Sequence, residues 1–248
     1  MSKQFPENLI LKLGPNSEKQ ILYFFGTRHT NDYRDEQFNY IKQFWSEFLN
    51  KSERQKSVFV EGAIHEIPQD YEEAIRWYGE TGAIQWLGRE AGIKVIRPEP
   101  TEAGQRKYLC AKFDSKLVAY AVIAQNLASW FSHIGKTTFD EAVNQVLKRE
   151  AGYSEVYGFV PNKEWLVSQH KELFGEQMFE DKSFLVSITD PTKNDTAINK
   201  IVSARSKMRN ENILAEIKKA WESGKSIFIV YGKGHLAALE SYLRDLIP

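Results

Sequence analysis

The chain has 248 residues, of which 42% are hydrophobic and 13% aromatic, and its 33 Lys and Arg residues balance 33 Asp and Glu residues. This size and composition allow a substantial core and exclude wholesale disorder. The zero formal charge, without a run of like charges, lacks the electrostatic pattern of a nucleic-acid-binding protein. The single cysteine, Cys110, excludes an intrachain disulfide.

Residues 1–14 lack the basic and then apolar layout of a signal peptide. In addition, no window of the sequence approaches the roughly 18 apolar residues that a membrane-spanning helix needs. We therefore expect a soluble, cytoplasmic protein that binds neither membrane nor nucleic acid. Its expected partner is a small-molecule or peptide substrate, and the sequence leaves the oligomeric state open.

Strand and helix patterns alternate through the first hundred residues. Apolar runs rich in β-forming residues predict strands, which cover 21–25, 57–61 and 93–96. Apolar residues three and four positions apart predict helices, which cover 35–50, 70–78 and 81–91, with Gly79 as the break. This order is typical of a parallel sheet with right-handed crossovers.

The middle of the chain has a helical pattern, and the α/β pattern returns near the end. Helical periodicity predicts helices over 116–131 and 138–150, inside an insertion of about 105–182 that no Gly/Ser/Pro-rich linker flanks. A helix over 205–223, a strand over 226–231 and a closing helix come next. We predict a single α/β domain over 1–248, with a mainly parallel sheet flanked by helices and a helical insertion in its middle.

Two similar turns come after the first and the last of these strands. Gly26-Thr27-Arg28-His29 and Gly232-Lys233-Gly234-His235 each place a histidine three residues after a glycine. Open parallel sheets bind ligands in the crevice beyond the carboxyl ends of their strands. The two turns therefore predict one site that both ends of the chain build. Alternatively, the glycines only supply positive φ at a tight turn.

Two carboxylates, Glu61 and Glu99, come after the other predicted strands. With His29 and His235 they would suit a divalent transition metal such as manganese, cobalt or zinc, bound by all four side chains. The same set suits metal-free acid–base catalysis, in which a carboxylate orients a histidine that removes a proton from water. A structural role is the other alternative, because Glu61 could cap a following segment through its backbone N–H groups.

Other charged residues are further candidates. Glu80 lies at a predicted helix start, where a carboxylate interacts favourably with the helix dipole even without a role in a site. Arg209, next to Asn210, is either a cation for an oxyanion or substrate carboxylate or a solvated helix charge. Arg28 either faces the crevice or pairs with an acid such as Asp32 or Asp35. Phosphate-loop, dinucleotide, Gly-x-Ser-x-Gly and His-Glu-x-x-His motifs do not occur, which argues against nucleotide chemistry, a standard hydrolase elbow and a zincin helix.

Taken together, these motifs resemble the TraB/Tiki-like branch of the erythromycin esterase and ChaN-like superfamily. The residues that carry the resemblance are Gly26-x-x-His29, Val58-Phe59-Val60-Glu61-Gly62, Gly79-Glu80, Pro98-Glu99-Pro100, Arg209-Asn210 and Gly232-x-Gly-His235. The resemblance implies an α/β core whose two ends build one pocket. That superfamily includes metal-dependent proteases, esterases that use histidine and glutamate, pheromone-shutdown proteins and a haem-binding lipoprotein.

The resemblance also implies a role for each candidate residue. The implied roles are metal ligands or bases for His29 and His235, ligands or proton-transfer groups for Glu61 and Glu99, a further pocket acid for Glu80, and an anion-stabilising cation for Arg209. We therefore expect a metal-dependent hydrolase of a peptide or ester-like carbonyl. The alternatives are a metal-free His/Glu esterase and a non-catalytic protein that binds a peptide, haem or a small anion in the same pocket. A structural or regulatory protein with a degenerate site is a third alternative.

Overall fold

A computed structural model of the chain describes residues 9–131 and 137–247. The described strands are β1 (Ile10–Leu13), β2 (Leu22–Thr27), β3 (Lys56–Val60), β4 (Val95–Ile96) and β5 (Ser226–Gly232). The described helices are α1 (Gln37–Lys51), α2 (Tyr71–Glu90), α3 (Glu102–Cys110), α4 (Ser115–Trp130), α5 (Phe139–Ala151), α6 (Ser154–Tyr157), α7 (Lys163–Phe174), α8 (Lys182–Ile188), α9 (Ala197–Glu222) and α10 (Lys233–Leu246). Across these residues, no helix has the length and apolar character needed to cross a membrane.

The chain divides into two compact units, and the sheet belongs to the first, which runs up to Glu99 and resumes at Asn210. The strand order is β1-β2-β5-β3-β4, with β1 antiparallel to β2 and all other neighbours parallel. The strand latest in the chain, β5, therefore lies between β2 and β3. Consequently the turns after β2, β5 and β3 meet at one edge of the sheet. The predicted α/β class and mainly parallel sheet are confirmed.

Both faces of the sheet are covered, which is why its strands have continuous apolar runs. Every residue of β2 and β5 is buried. Because successive side chains of a strand point to opposite faces, Phe25 and Val230 pack with α1 and α2 in one core cluster. Phe24 and Ile229 pack in a second cluster with α10 and the end of α9.

Helix α2 contains the break predicted at Gly79, in the form of a kink. The backbone at Gly79 has φ 58° and ψ −138°, a conformation that favours glycine. Any Cβ at this position would also lie 2.7 Å from the carbonyl oxygen of Thr30. The kink therefore lets α2 pass directly against the residue that follows His29.

The second unit, Pro100–Arg209, is helical and has its own apolar core. It contains the predicted insertion, of which residues 132–136 lie outside the described part. The predicted helices over 116–131 and 138–150 correspond to α4 and α5, and a capping box of Thr138 and Glu141 begins α5. A buried ion pair joins Arg106 to Glu150 at 2.7 Å.

The start of α9 and the presence of β1 differ from the sequence-based prediction. Helix α9 begins at Ala197 rather than at 205, because Thr196 and Asn199 cap its start through their side chains. Strand β1 was not predicted. It is a four-residue edge strand that contributes Leu11 and Leu13 to the core, too short for a clear alternating pattern.

Candidate functional site

His29 lies in the loop after β2, and Glu80 on α2 binds the Nδ1 side of its ring. Its Nδ1 atom is hydrogen-bonded to Oε1 of Glu80, whose side chain is 8% exposed, whereas the His29 side chain is 57% exposed. The kink at Gly79 places Glu80 there. A carboxylate on Nδ1 fixes the ring orientation and its tautomer, with the proton on the Nδ1 side and Nε2 left for other contacts.

Glu61 comes directly after β3 and lies between the two histidines. Its Oε2 atom is 3.8 Å from Nε2 of His29, and its Oε1 atom is 3.5 Å from Nε2 of His235. The backbone carbonyl of Glu61 accepts a hydrogen bond from the hydroxyl of Thr81 at 2.6 Å, which fixes the residue against α2. Both imidazoles of the site therefore face the same carboxylate.

The carboxylate of Glu61 also lies at the start of α10. Gly232 is the N-cap of this helix and offers no side-chain hydrogen bond of its own. Its backbone N–H instead donates to Oε2 of Glu61 at 2.8 Å. The helix N-terminus favours a negative charge at this position. The capping role that the sequence allowed for Glu61 thus exists, but it serves α10 rather than the segment after β3.

His235 lies in the first turn of α10, and Asn210 on α9 binds the Nδ1 side of its ring. Its Nδ1 atom is 2.6 Å from Oδ1 of Asn210. The His235 side chain is 11% exposed, and its ring meets that of Tyr231 edge-on at 5.3 Å. An amide oxygen can only accept a hydrogen bond, so Nδ1 carries a proton and Nε2 faces Glu61.

Space, rather than backbone conformation, favours glycine at position 232. A Cβ there would lie 2.9 Å from Nε2 of His29 and 3.2 Å from Oε2 of Glu61. Its φ is −54°, which any residue adopts, so the alternative that this glycine supplies positive φ is wrong. The first turn is similar, because a Cβ on Gly26 would lie 3.2 Å from the Cα of Lys233. Both glycines permit close approach.

The other sequence-predicted residues have different surroundings. The side chain of Glu99 is 3% exposed and lies 3.6 Å from the guanidinium group of Arg97. Arg28 pairs with Asp35 at 3.1 Å, which confirms the ion-pair alternative. Arg209 lies on α9 as the last residue of the second unit. The site roles of Glu99 and Arg209 stay predictions.

Sequence reasoning missed the positioning role of Asn210. The residue belongs to the Arg209-Asn210 motif, but the sequence gives it no role of its own, since a neutral amide is a weaker signal of chemistry than a charge. The useful signal is its place on the helix before β5, because the end of α9 and the start of α10 pack in one cluster. A polar residue there can reach His235.

The donor set does not form a ready metal site. Throughout residues 9–131 and 137–247, no group of three or more His, Cys, Asp or Glu side chains is arranged to hold a metal ion. The chemistry that the geometry itself offers is proton transfer. It consists of an exposed imidazole backed by a carboxylate, and a carboxylate paired with a second imidazole.

No protein-family model, curated protein or solved structure matches this chain. Membership of the TraB/Tiki-like branch therefore stays a prediction from the motifs. Of the six residues to which the resemblance gives roles, the described contacts bring four together, which are His29, Glu61, Glu80 and His235.

Proposed function

We propose that this protein is a hydrolase of an ester-like or peptide-like carbonyl substrate, with its reaction centre at the carboxyl edge of the sheet. The observation that carries the proposal is the position of Glu61, whose two oxygens face Nε2 of His29 at 3.8 Å and Nε2 of His235 at 3.5 Å. Each imidazole is also held at Nδ1 by a separate partner. Polar loop residues without a shared role have no reason to place two imidazoles around one carboxylate.

His29 suits the role of general base. The carboxylate of Glu80 stabilises the imidazolium that forms when Nε2 takes a proton. The exposed ring is accessible to substrate, and the 3.8 Å gap to Oε2 of Glu61 is longer than a direct hydrogen bond. In the proposed reaction, a water molecule held by both groups attacks the carbonyl carbon, and Nε2 of His29 takes its proton.

His235 suits the role of general acid. The N–H of Gly232 and the start of α10 favour the ionised form of Glu61. A proton on Nε2 of His235 turns its 3.5 Å contact with Glu61 into an ion pair. As the tetrahedral intermediate collapses, the bond to the leaving oxygen or nitrogen breaks and this atom takes that proton. Proton exchange with solvent then returns His29 and His235 to their starting states.

Arg209 and Glu99 enter the proposal only because the motif resemblance gives them roles. Arg209 is proposed as the cation that stabilises the developing oxyanion. Glu99 is proposed as a second pocket carboxylate, although its ion pair with Arg97 gives it a structural role as well. Neither residue is needed for the two proton transfers described above.

A metal-dependent form of the same reaction is the second candidate. It is favoured by one observation, that an oxygen holds Nδ1 of each histidine while both Nε2 atoms face Glu61, as in the outer shell of many metal sites. Manganese, cobalt and zinc are among the metals that accept imidazole and carboxylate together. The described residues offer no arranged set of three ligands, and the proton transfers above involve only side chains of the protein and water.

The variant Glu61→Gln tests the proposal. Glutamine keeps the size of the side chain and an oxygen acceptor for Gly232 but removes the negative charge. We expect kcat/KM for a panel of simple esters and peptides to fall about 1,000-fold, within the range of acid–base catalysis, with little change in melting temperature. The control is Glu240→Gln, which removes only the exposed ion pair with Arg244 on α10. Equal rates for the two variants, or no turnover by the wild type, would overturn the proposal.

Dialysis against a chelator separates the two candidates. The metal-free mechanism predicts that dialysed protein keeps its full rate. Loss of activity that returns on adding manganese, cobalt or zinc would favour the second candidate.

A further inference from the structure

Aromatic and apolar side chains form one stretch of the surface of the first unit. Trp77 of α2 is 60% exposed, and Ile64 in the loop after β3 is 52% exposed. His65 stacks on Tyr78 with ring centroids 4.0 Å apart and planes at 6°. Trp77 meets Tyr78 edge-on at 6.1 Å. We call these four residues the aromatic patch.

One side of the aromatic patch is fixed to the loop that carries Glu61. Gln85, which is 5% exposed, accepts the backbone N–H of His65 at 2.8 Å and donates to the carbonyl of Ala63 at 3.1 Å. Thr81 donates to the carbonyl of Glu61. The loop from Glu61 to His65 therefore runs along α2 in a defined conformation, and the stacked rings are pre-organised.

The other side of the aromatic patch is close in the chain to Glu80, the hydrogen-bond partner of His29. Tyr78 immediately precedes the kink at Gly79, whose backbone lies against the carbonyl of Thr30. The residue after the kink, Glu80, binds His29. The patch is thus close in the chain to Glu80, which binds the proposed base His29, and to Glu61.

The chemistry of the patch favours a neutral, flat ligand. Desolvation lowers the pKa of His65, which favours the uncharged form of its ring. Exposed aromatic side chains offer large, rigid contact areas, and aromatic pairs gain from offset or edge-to-face packing. Four residues are also far fewer than the roughly 20–30 on each side of a protein–protein interface of standard size. The patch therefore matches one ring better than a protein partner.

We propose that the aromatic patch binds an aromatic ring of the substrate, so that the enzyme prefers esters and amides that carry such a ring near the scissile carbonyl. This inference rests on the proposed function. It assigns Trp77 and the His65–Tyr78 stack to substrate specificity, while proton transfer stays with His29, Glu61 and His235.

The test compares two esters whose leaving alcohols are chemically alike, 3-phenylpropyl acetate and hexyl acetate. We expect Trp77→Ala to lower the ratio of their kcat/KM values about fivefold, as for the loss of one aromatic contact. The control is Tyr242→Ala, since Tyr242 is 58% exposed on α10 and outside the patch; this variant should keep the wild-type ratio. An unchanged ratio in Trp77→Ala, or the same fall in Tyr242→Ala, would overturn the inference.

A binding measurement separates this inference from the proposed function. The probe is 6-phenylhexan-2-one, a ketone that cannot be hydrolysed, and its affinity is measured by calorimetry in Glu61→Gln with and without Trp77→Ala. Affinity that falls about fivefold without Trp77 supports the aromatic subsite even if no ester is turned over, in which case the proposed function alone fails. Ester turnover together with Trp77-independent ketone binding would refute the subsite and leave the proposed function standing.

Discussion

The two Gly-x-x-His turns share a sequence pattern but give their histidines different surroundings. The side chain of His29 is 57% exposed and a carboxylate holds its Nδ1 atom. The side chain of His235 is 11% exposed and a neutral amide holds its Nδ1 atom. The pattern places a histidine at the sheet edge, whereas the partner at Nδ1 differs between the two turns. Under the proposed function, this difference suits His29 to the role of base and His235 to that of acid.

The difference arises from the segment that each strand leads into. After β2 the chain enters a loop before α1 begins at Gln37, so His29 is held from outside by the kinked helix α2. After β5 the chain passes directly into α10 at Lys233, so His235 belongs to a helix and is held by α9. His29 is therefore exposed, and His235 is packed beside Glu61.

Alanine variants of the two histidines should have the largest effects on activity, and they test whether the two residues have different roles. For an alkyl acetate, we expect both His29→Ala and His235→Ala to lower kcat/KM about 1,000-fold, because both proton transfers are needed. For 4-nitrophenyl acetate, whose leaving group needs no proton, only His29→Ala should keep its full effect. Rates are measured for both esters in both variants. The same loss in both variants with both esters would contradict the division into base and acid.

Substitutions of Glu80 and Asn210, the partners of the two histidines at Nδ1, should lower activity less than the loss of the histidines themselves. Glu80→Gln removes the charge that stabilises the His29 imidazolium, and we expect a loss of about 100-fold in kcat with KM nearly unchanged. Asn210→Asp adds a charge behind His235, which still favours the protonated ring, so its rate should stay within about fivefold of the wild type. A larger loss in Asn210→Asp than in Glu80→Gln would reverse the assigned roles.

The two glycines of the second turn should respond differently to a methyl group. In Gly232→Ala the new Cβ would crowd Nε2 of His29 and Oε2 of Glu61, and we expect about a tenfold loss of kcat/KM from the displaced groups. In Gly234→Ala the new Cβ meets nothing within 4 Å, and alanine is the better helix former. That variant should keep its activity and melt at a slightly higher temperature. Equal activities would show that His29 and Glu61 do not need the space over Gly232.

Much of the site could be predicted because strand ends are local features. His29, Glu61 and His235 each come after an apolar run, and the carboxyl ends of parallel strands share one edge. The sequence could not reveal that β5 lies between β2 and β3, since this order depends on pairing between distant segments. That central position is what puts Gly232 between His29 and Glu61.

Glu99 shows the limit of the same reasoning. It comes after a predicted strand as Glu61 does, but β4 has only two residues and lies at the edge of the sheet, next to β3. Its carboxylate pairs with Arg97, two residues earlier. Strand ends alone could not distinguish the two glutamates, because strand order and local pairing decide which carboxylate lies between the histidines.

The smallest expected effect concerns Arg28, which lies between glycine and histidine in the first turn. Arg28 pairs with Asp35, but its side chain is 63% exposed, and exposed ion pairs contribute at most about 1 kcal/mol. We therefore expect Arg28→Ala to leave kcat/KM at the wild-type value and to lower the free energy of unfolding, measured by urea denaturation, by less than about 0.5 kcal/mol. Lys233→Ala, in the second turn, is the control for a charge change without this ion pair. A loss of activity confined to Arg28→Ala would place its guanidinium group in the crevice and make the first turn contribute two groups to the chemistry, where the second contributes only one.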